Sequence, residues 1–195
     1  MKTRILALFA FALLTLGVTA QKAQAQTFTC DGGSNPVPAM VTGNAVVEQS
    51  TSCTIANGIT ATGSIDIQIS GGTLNVGAAL NAGTSAAAVA PGNIVTASIA
   101  ANNGSILVTS STAKVTTTTL TSVGGDIGVN AAGNLATQTV NAGSNFGAFS
   151  TGGTVKVTGT VTATGNVLMQ AFGNLGVTST ITSSIGAVEL DPYYQ

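Results

Sequence analysis

The sequence predicts an all-β fold, a single-stranded parallel β-helix (β-solenoid) with three short strands per coil of about 20 residues. Three observations carry this. First, Ile59, Leu80, Ile99, Leu120, Val140, Val161 and Ile181 recur at steps of 21, 19, 21, 20, 21 and 20 residues. A fixed period in the twenties marks a solenoid in which each repeat packs on its neighbours. Second, two further apolar series keep that step: Leu74, Ile94, Val115, Leu135, Val155, Leu175, and Ile65, Ala86, Ile106, Ile127, Phe146, Val167, Val188. Third, only 6% of residues are charged, and the chain is rich in Val, Ile and Thr. Disordered chains have the opposite balance, whereas β-branched residues favour pleated, half-buried surfaces.

Taken in order, residues 1–25 read as a signal peptide. Lys2 and Arg4 form a positive n-region, Ile5 to Val18 an apolar h-region, and Ala23-Gln24-Ala25 an A-x-A cleavage site before Gln26. The apolar run is shorter than the roughly 20 residues a membrane-spanning helix needs. The expected location is therefore extracellular or at a bacterial cell surface, with no transmembrane segment after cleavage. Residues 26–57 depart from the repeat and are expected to cap the first coil's open edge, which would otherwise invite aggregation. Cys30 and Cys53 are the two cysteines of the chain. In an oxidising compartment they are expected to form a disulfide.

Residues 58–190 are the expected coil region. In the stretch from Gly133 to Phe146, Leu135 begins one strand, Val140 belongs to the next, and Gly143-Ser144-Asn145 turns into a third. Gly and Asn are expected at corners because they accept positive φ at little cost. Strands of three to five residues are unstable alone. Stacking each on its counterpart about 4.8 Å away satisfies the backbone and yields six to seven coils, a rod roughly 30 Å long. Residues 191–195 read as a frayed tail, with Pro192 stopping edge pairing. The other reading is a coil end that stacks on another molecule.

The stretches Gly124 to Leu135 (GGDIGVNAAGNL) and Val161 to Val167 (VTATGNV) resemble repeats of filamentous haemagglutinin-type exoproteins. The resemblance spans about residues 55–190. It implies a right-handed parallel β-helix, bacterial export, and an adhesive role against a host or cell-surface glycan or protein. The secretion-domain motif of that family is represented here only by Ser34-Asn35-Pro36-Val37.

Little in the sequence points to catalysis. Without residues 1–25 the chain carries Lys114 and Lys156 against Asp31, Glu48, Asp66, Asp126, Glu189 and Asp191, a net charge of −4. That lacks the basic footprint that nucleic acid requires. The chain has no His, which removes Cys–His chemistry, and two thiolates alone make a poor metal site. A polysaccharide-cleaving β-helix needs paired carboxylates. Asp66 and Asp126 are 60 residues apart, about three coils, and read as isolated solvated charges. The expectation is therefore no catalytic residues, no cofactor and no metal.

The sharper pattern is threonine. Thr117, Thr119 and Thr121; Thr137 and Thr139; Thr158, Thr160 and Thr162; and Thr178, Thr180 and Thr182 flank the central anchors. They are expected to line up outward as ladders, one coil apart. Such a T-x-T array resembles the ice-binding face of several antifreeze β-solenoids, and ice binding is an alternative function. The leading expectation is a structural or adhesive surface protein, which could also self-associate through coil ends. Phe146 reads as core, while Phe149 and Phe172 read as corner packing.

Overall fold

A computed structural model describes residues 25–192, which wind into a parallel β-solenoid of about eight stacked turns with no helix among them. The long face carries β1 (Ala25–Phe28), β3 (Asn44–Gln49), β6 (Ile65–Ile69), β9 (Ala86–Ala90), β11 (Ile106–Ser110), β13 (Ile127–Ala131), β16 (Phe146–Ser150), β19 (Val167–Ala171) and β22 (Val188–Pro192). The first short face carries β4 (Cys53–Ile55), β7 (Leu74–Val76), β14 (Leu135–Thr137), β17 (Val155–Val157) and β20 (Leu175–Val177). On the second short face are β2 (Met40–Val41), β5 (Ile59–Ala61), β8 (Leu80–Ala82), β15 (Thr139–Ala142), β18 (Val161–Ala163) and β21 (Ile181–Ser183). Two longer strands, β10 (Ile94–Ala101) and β12 (Val115–Ser122), cross the corner and serve both short faces.

All three apolar series become ladders of directly paired residues. Ile59, Leu80, Ile99, Leu120, Val140, Val161 and Ile181 pair in succession. So do the series from Leu74 to Leu175 and from Ile65 to Val188. Most of their side chains are wholly buried, and Phe146 is 1% exposed. With each rung stacked on the next, area removed from water and backbone pairing reinforce one another.

The coil is longer than the expected six to seven turns because its register starts before residue 58. Ala45 pairs with Ile65, Val41 with Ala61 and Cys53 with Leu74. Ala45 and Cys53 take anchor positions there, while Val41 pairs beside the anchor series, so the series is hard to recognise. Among the described residues only the loop 29–39 departs from the coil, and the buried Cys30–Cys53 disulfide ties it to β4. The targeting segment expected over residues 1–25 lies outside the described residues except for Ala25, which opens β1. At the other end, Asp191 and Pro192 belong to β22 rather than to a tail, and residues 193–195 lie outside the described region.

Corners are held differently from the expectation. Positive φ occurs only at Gly32, Gly43, Gly58 and Gly72, and at no non-glycine residue among those described. Most corner glycines answer to the close approach of rungs. A Cβ on Gly143 would collide with the Val123 carbonyl oxygen one rung below. Corner asparagines act through their side chains. Asp126 Oδ1 accepts the Asn145 backbone N–H at 2.9 Å, Asn145 Oδ1 accepts that of Asn166 at 2.8 Å, and Asn166 Oδ1 accepts that of Ala187 at 2.9 Å.

A serine clip recurs at the ends of four strands, two on the long face and two on the second short face. Ser110, Ser122, Ser150 and Ser183 each donate to a glycine carbonyl of the preceding rung at 2.7 Å and accept a backbone N–H three residues on. Each serine thereby closes its own turn and fastens it to its neighbour. A buried hydroxyl with both bonds made is a net gain. One with none is a cost.

The first short face shows both cases. Its second inward position is Ile55, Val76, Val157 or Val177 where three residues make the following corner. It is Thr96, Thr117 or Thr137 where two do. Thr117 Oγ1 donates to Thr137 Oγ1 at 3.0 Å, but the buried Thr96 hydroxyl has no hydrogen-bond partner among the described residues. Thr96→Val, nearly isosteric and matching Val76 one rung earlier, is expected to stabilise the protein by about 1 kcal/mol. Equilibrium urea unfolding would show a higher midpoint at unchanged slope, and a lower midpoint would refute the assignment.

Candidate functional site

Seven of the predicted threonines form an array on the outer side of the second short face. One column runs Thr119, Thr139, Thr160, Thr180. Thr119 pairs with Thr139, and the carbonyls of Thr160 and Thr180 accept the N–H groups of Val140 and Val161. The parallel column runs Thr121, Asn141, Thr162, Thr182 in direct register. Thr160, Thr162, Thr180 and Thr182 are exposed, and Thr119, Thr121 and Thr139 are half-buried. Alternation around Leu120, Val140, Val161 and Ile181 turns these side chains away from the core.

Two predicted members point the other way. Thr117 and Thr137 are 3% and 2% exposed and bonded to each other inside the coil. In β12 the buried positions are 115, 117, 120 and 122, so the alternation slips by one residue at the corner between 117 and 120. Counting outward from Leu120 through that corner assigns Thr117 to the wrong face, and the same holds for Thr137 against Val140. Thr158 and Thr178 are exposed at the corner. Thr178 Oγ1 turns back to the carbonyls of Val157 and Thr158.

The array is confined to the last four rungs. Toward the N-terminus its columns continue as Ser98 and Ala79, and as Ala100, Asn81 and Thr60. Its hydroxyls each donate once and accept twice, spaced by the roughly 4.8 Å rung distance. No charge stands among them. Lys156 lies on the outer side of the neighbouring face, between Ala136 and Gly176. Such a surface can hydrogen-bond ordered water, sugar hydroxyls or a polar protein strand. It holds no base to activate a nucleophile.

The carboxylates are less free than the sequence suggests. Asp66 is buried on the long face and accepts the Gln68 side chain at 2.9 Å, so it is not a solvated charge. Asp126 is half-buried within the corner ladder, where it also accepts Asn145 Nδ2 at 2.9 Å. Asp126, at a corner, finds the next rung's donors within reach, whereas Asp66, inside β6, is met by Gln68 of its own strand, so neither is the isolated solvated charge expected. Among the described residues no three His, Cys, Asp or Glu side chains gather closely enough to hold a metal ion. Phe146 is core, and Phe149 lies over Gly147. Phe172 is 49% exposed rather than packed into its corner.

No helix among the described residues is long and apolar enough to cross a membrane. In comparisons with known proteins, no family model, curated sequence or solved structure matches the chain.

Proposed function

We propose that the protein is an exported surface rod that makes contact through the threonine face of its C-terminal half and carries out no catalysis. One observation carries this reading: seven in-register threonines and Asn141 form an uncharged outward array over four rungs. The resemblance to filamentous haemagglutinin-type repeats favours an adhesive role, with a cell-surface glycan or protein as partner. Export follows from the n-region, h-region and A-x-A pattern of residues 1–25.

Beads coated with the protein are expected to attach to cells or immobilised neutral polysaccharides. A double variant, Thr160→Lys with Thr162→Lys, should reduce attachment about tenfold while unfolding like the parent, since both side chains face solvent. Attachment that survives in the variant overturns the assignment of this face. Turnover of a polysaccharide that depends on Asp66 or Asp126 would overturn the non-catalytic reading.

Ice binding is the second reading, favoured by the same regular array. It predicts thermal hysteresis and inhibition of ice recrystallisation, both abolished by Thr160→Tyr. The interruption by Asn141 and the confinement to four rungs weigh against it.

A further inference from the structure

Corners that differ in length by one residue are closed by different residues. On the edge between the second short face and the long face, three-residue corners follow Ala61, Ala82, Ala142 and Ala163. The four-residue corners there are 102–105, 123–126 and 184–187. The last two follow Ser122 and Ser183, whose hydroxyls accept the N–H of the third corner residue, Gly125 or Gly186, at 2.9 Å. The first follows Ala101, which has no hydroxyl to offer.

That corner is loosely tied to the coil. The Asn102 N–H donates to the Ala82 carbonyl at 3.0 Å, but those of Asn103, Gly104 and Ser105 meet no protein acceptor among the described residues. Asn102 and Asn103 are exposed, and Asn103 Nδ2 reaches the Gly83 carbonyl only at 3.4 Å. Space demands glycine next, because a Cβ on Gly104 would collide with Ser85 Oγ one rung earlier.

We propose that Asn103 is a site of spontaneous covalent modification, converting to aspartate and isoaspartate through a cyclic imide closed by the Gly104 nitrogen. Hydroxide takes the Gly104 N–H proton, and the nitrogen attacks Asn103 Cγ to form a new C–N bond. The Cγ–Nδ2 bond breaks, and the departing nitrogen takes a proton from water and leaves as ammonia. Water then adds to either carbonyl of the five-membered ring and breaks the C–N bond to that carbonyl. One opening yields aspartate, the other an isoaspartate whose backbone runs through Cβ. Water is the net co-reactant, and nothing is oxidised or reduced.

The step needs an accessible asparagine side chain, a following residue without a side chain, a nitrogen that can lose its proton and a backbone that can turn. Corner 102–105 supplies all four. In a clipped corner the serine hydroxyl holds the glycine N–H and fixes its peptide plane, which opposes both ionisation and turning. Either product adds a negative charge to the edge that carries Asp126 one rung on. Isoaspartate also lengthens the corner by one backbone atom. The Gly104 carbonyl accepts the Ser122 hydroxyl at 2.7 Å, so the change reaches the next rung's clip. The inference is independent of what the threonine face binds.

Incubating the folded full chain at neutral and mildly alkaline pH, followed by peptide mapping with mass spectrometry, tests it. The expected result is progressive conversion at Asn103, faster at the higher pH, with aspartate and isoaspartate appearing together. Ala101→Ser, which matches Ser122 one rung on, should slow it about tenfold, the rate change that one hydrogen bond supplies. Conversion at Asn57, the other asparagine followed by glycine, should keep its parent rate in that variant. Gly124→Asn places the same dipeptide in a clipped corner where an added Cβ meets nothing within 4 Å. It should convert about tenfold more slowly than Asn103. An Asn103 that stays intact overturns the proposal. Equal rates in the parent and Ala101→Ser, or at Asn103 and at position 124, overturn the part given to the missing serine.

Discussion

Phe146→Ala is expected to lower the unfolding free energy by about 3–5 kcal/mol. Phe146 is the bulkiest wholly buried side chain, and it stands between Ile127 and Val167 on the long face. Alanine would leave a void that the rungs above and below cannot collapse into, because their spacing is set by backbone hydrogen bonds. A solenoid is held by contacts between neighbouring rungs, so the damage should be directional. Amide exchange should quicken from β16 through β22 while the rungs from β5 to β11 keep their protection. Uniform loss of protection along the whole rod would show instead that the coil unfolds as one cooperative unit.

Loss of the disulfide is the second large effect. Cys30→Ser with Cys53→Ser should destabilise the N-terminal end by about 3 kcal/mol, the chain-entropy value for a loop of this size. Cys53 also occupies the anchor position that Leu74 fills one rung later, so serine adds a buried polar group to the lost crosslink. The expected signature is a lower thermal midpoint with early exchange of the amides of residues 29–56. Freed of its loop, the outer edge of β4 is unpaired, and the variant should aggregate where the parent does not. Unchanged melting and solubility would show that the hydrogen bonds of Asp31 and Asn35 hold the loop without the crosslink.

How much of this was legible depends on what each residue does. Anchors such as Leu120 and Ile127 announce themselves, because a large apolar side chain recurring every 20 residues has one economical explanation. Ala45 and Cys53 play the same part without the same appearance, and the first turns were correspondingly hidden. The corner asparagines were visible as residues but not as a ladder, since their partners are backbone N–H groups about 20 residues away. A backbone donor leaves no mark in the sequence. The serine clips were missed for that reason too, although Ser110, Ser122 and Ser150 each close a strand.

The threonine face was half legible. Thr119, Thr121, Thr139, Thr160, Thr162, Thr180 and Thr182 follow from simple alternation about a known inward residue. Thr117 and Thr137 do not, because alternation is interrupted wherever the chain turns a corner, and a corner of two residues or three reverses the outcome.

By itself, then, the sequence determined the class of fold, the repeat length and the three inward series. Those depend on hydrophobic periodicity, which is a property of the chain read along its length. Only the tertiary structure decided the number of turns, the direction of each threonine near a corner, and the engagement of Asp66 and Asp126. Each of these turns on which atoms of one rung face those of the next. That spatial relation is set by corner lengths and backbone hydrogen bonds, not by residue type.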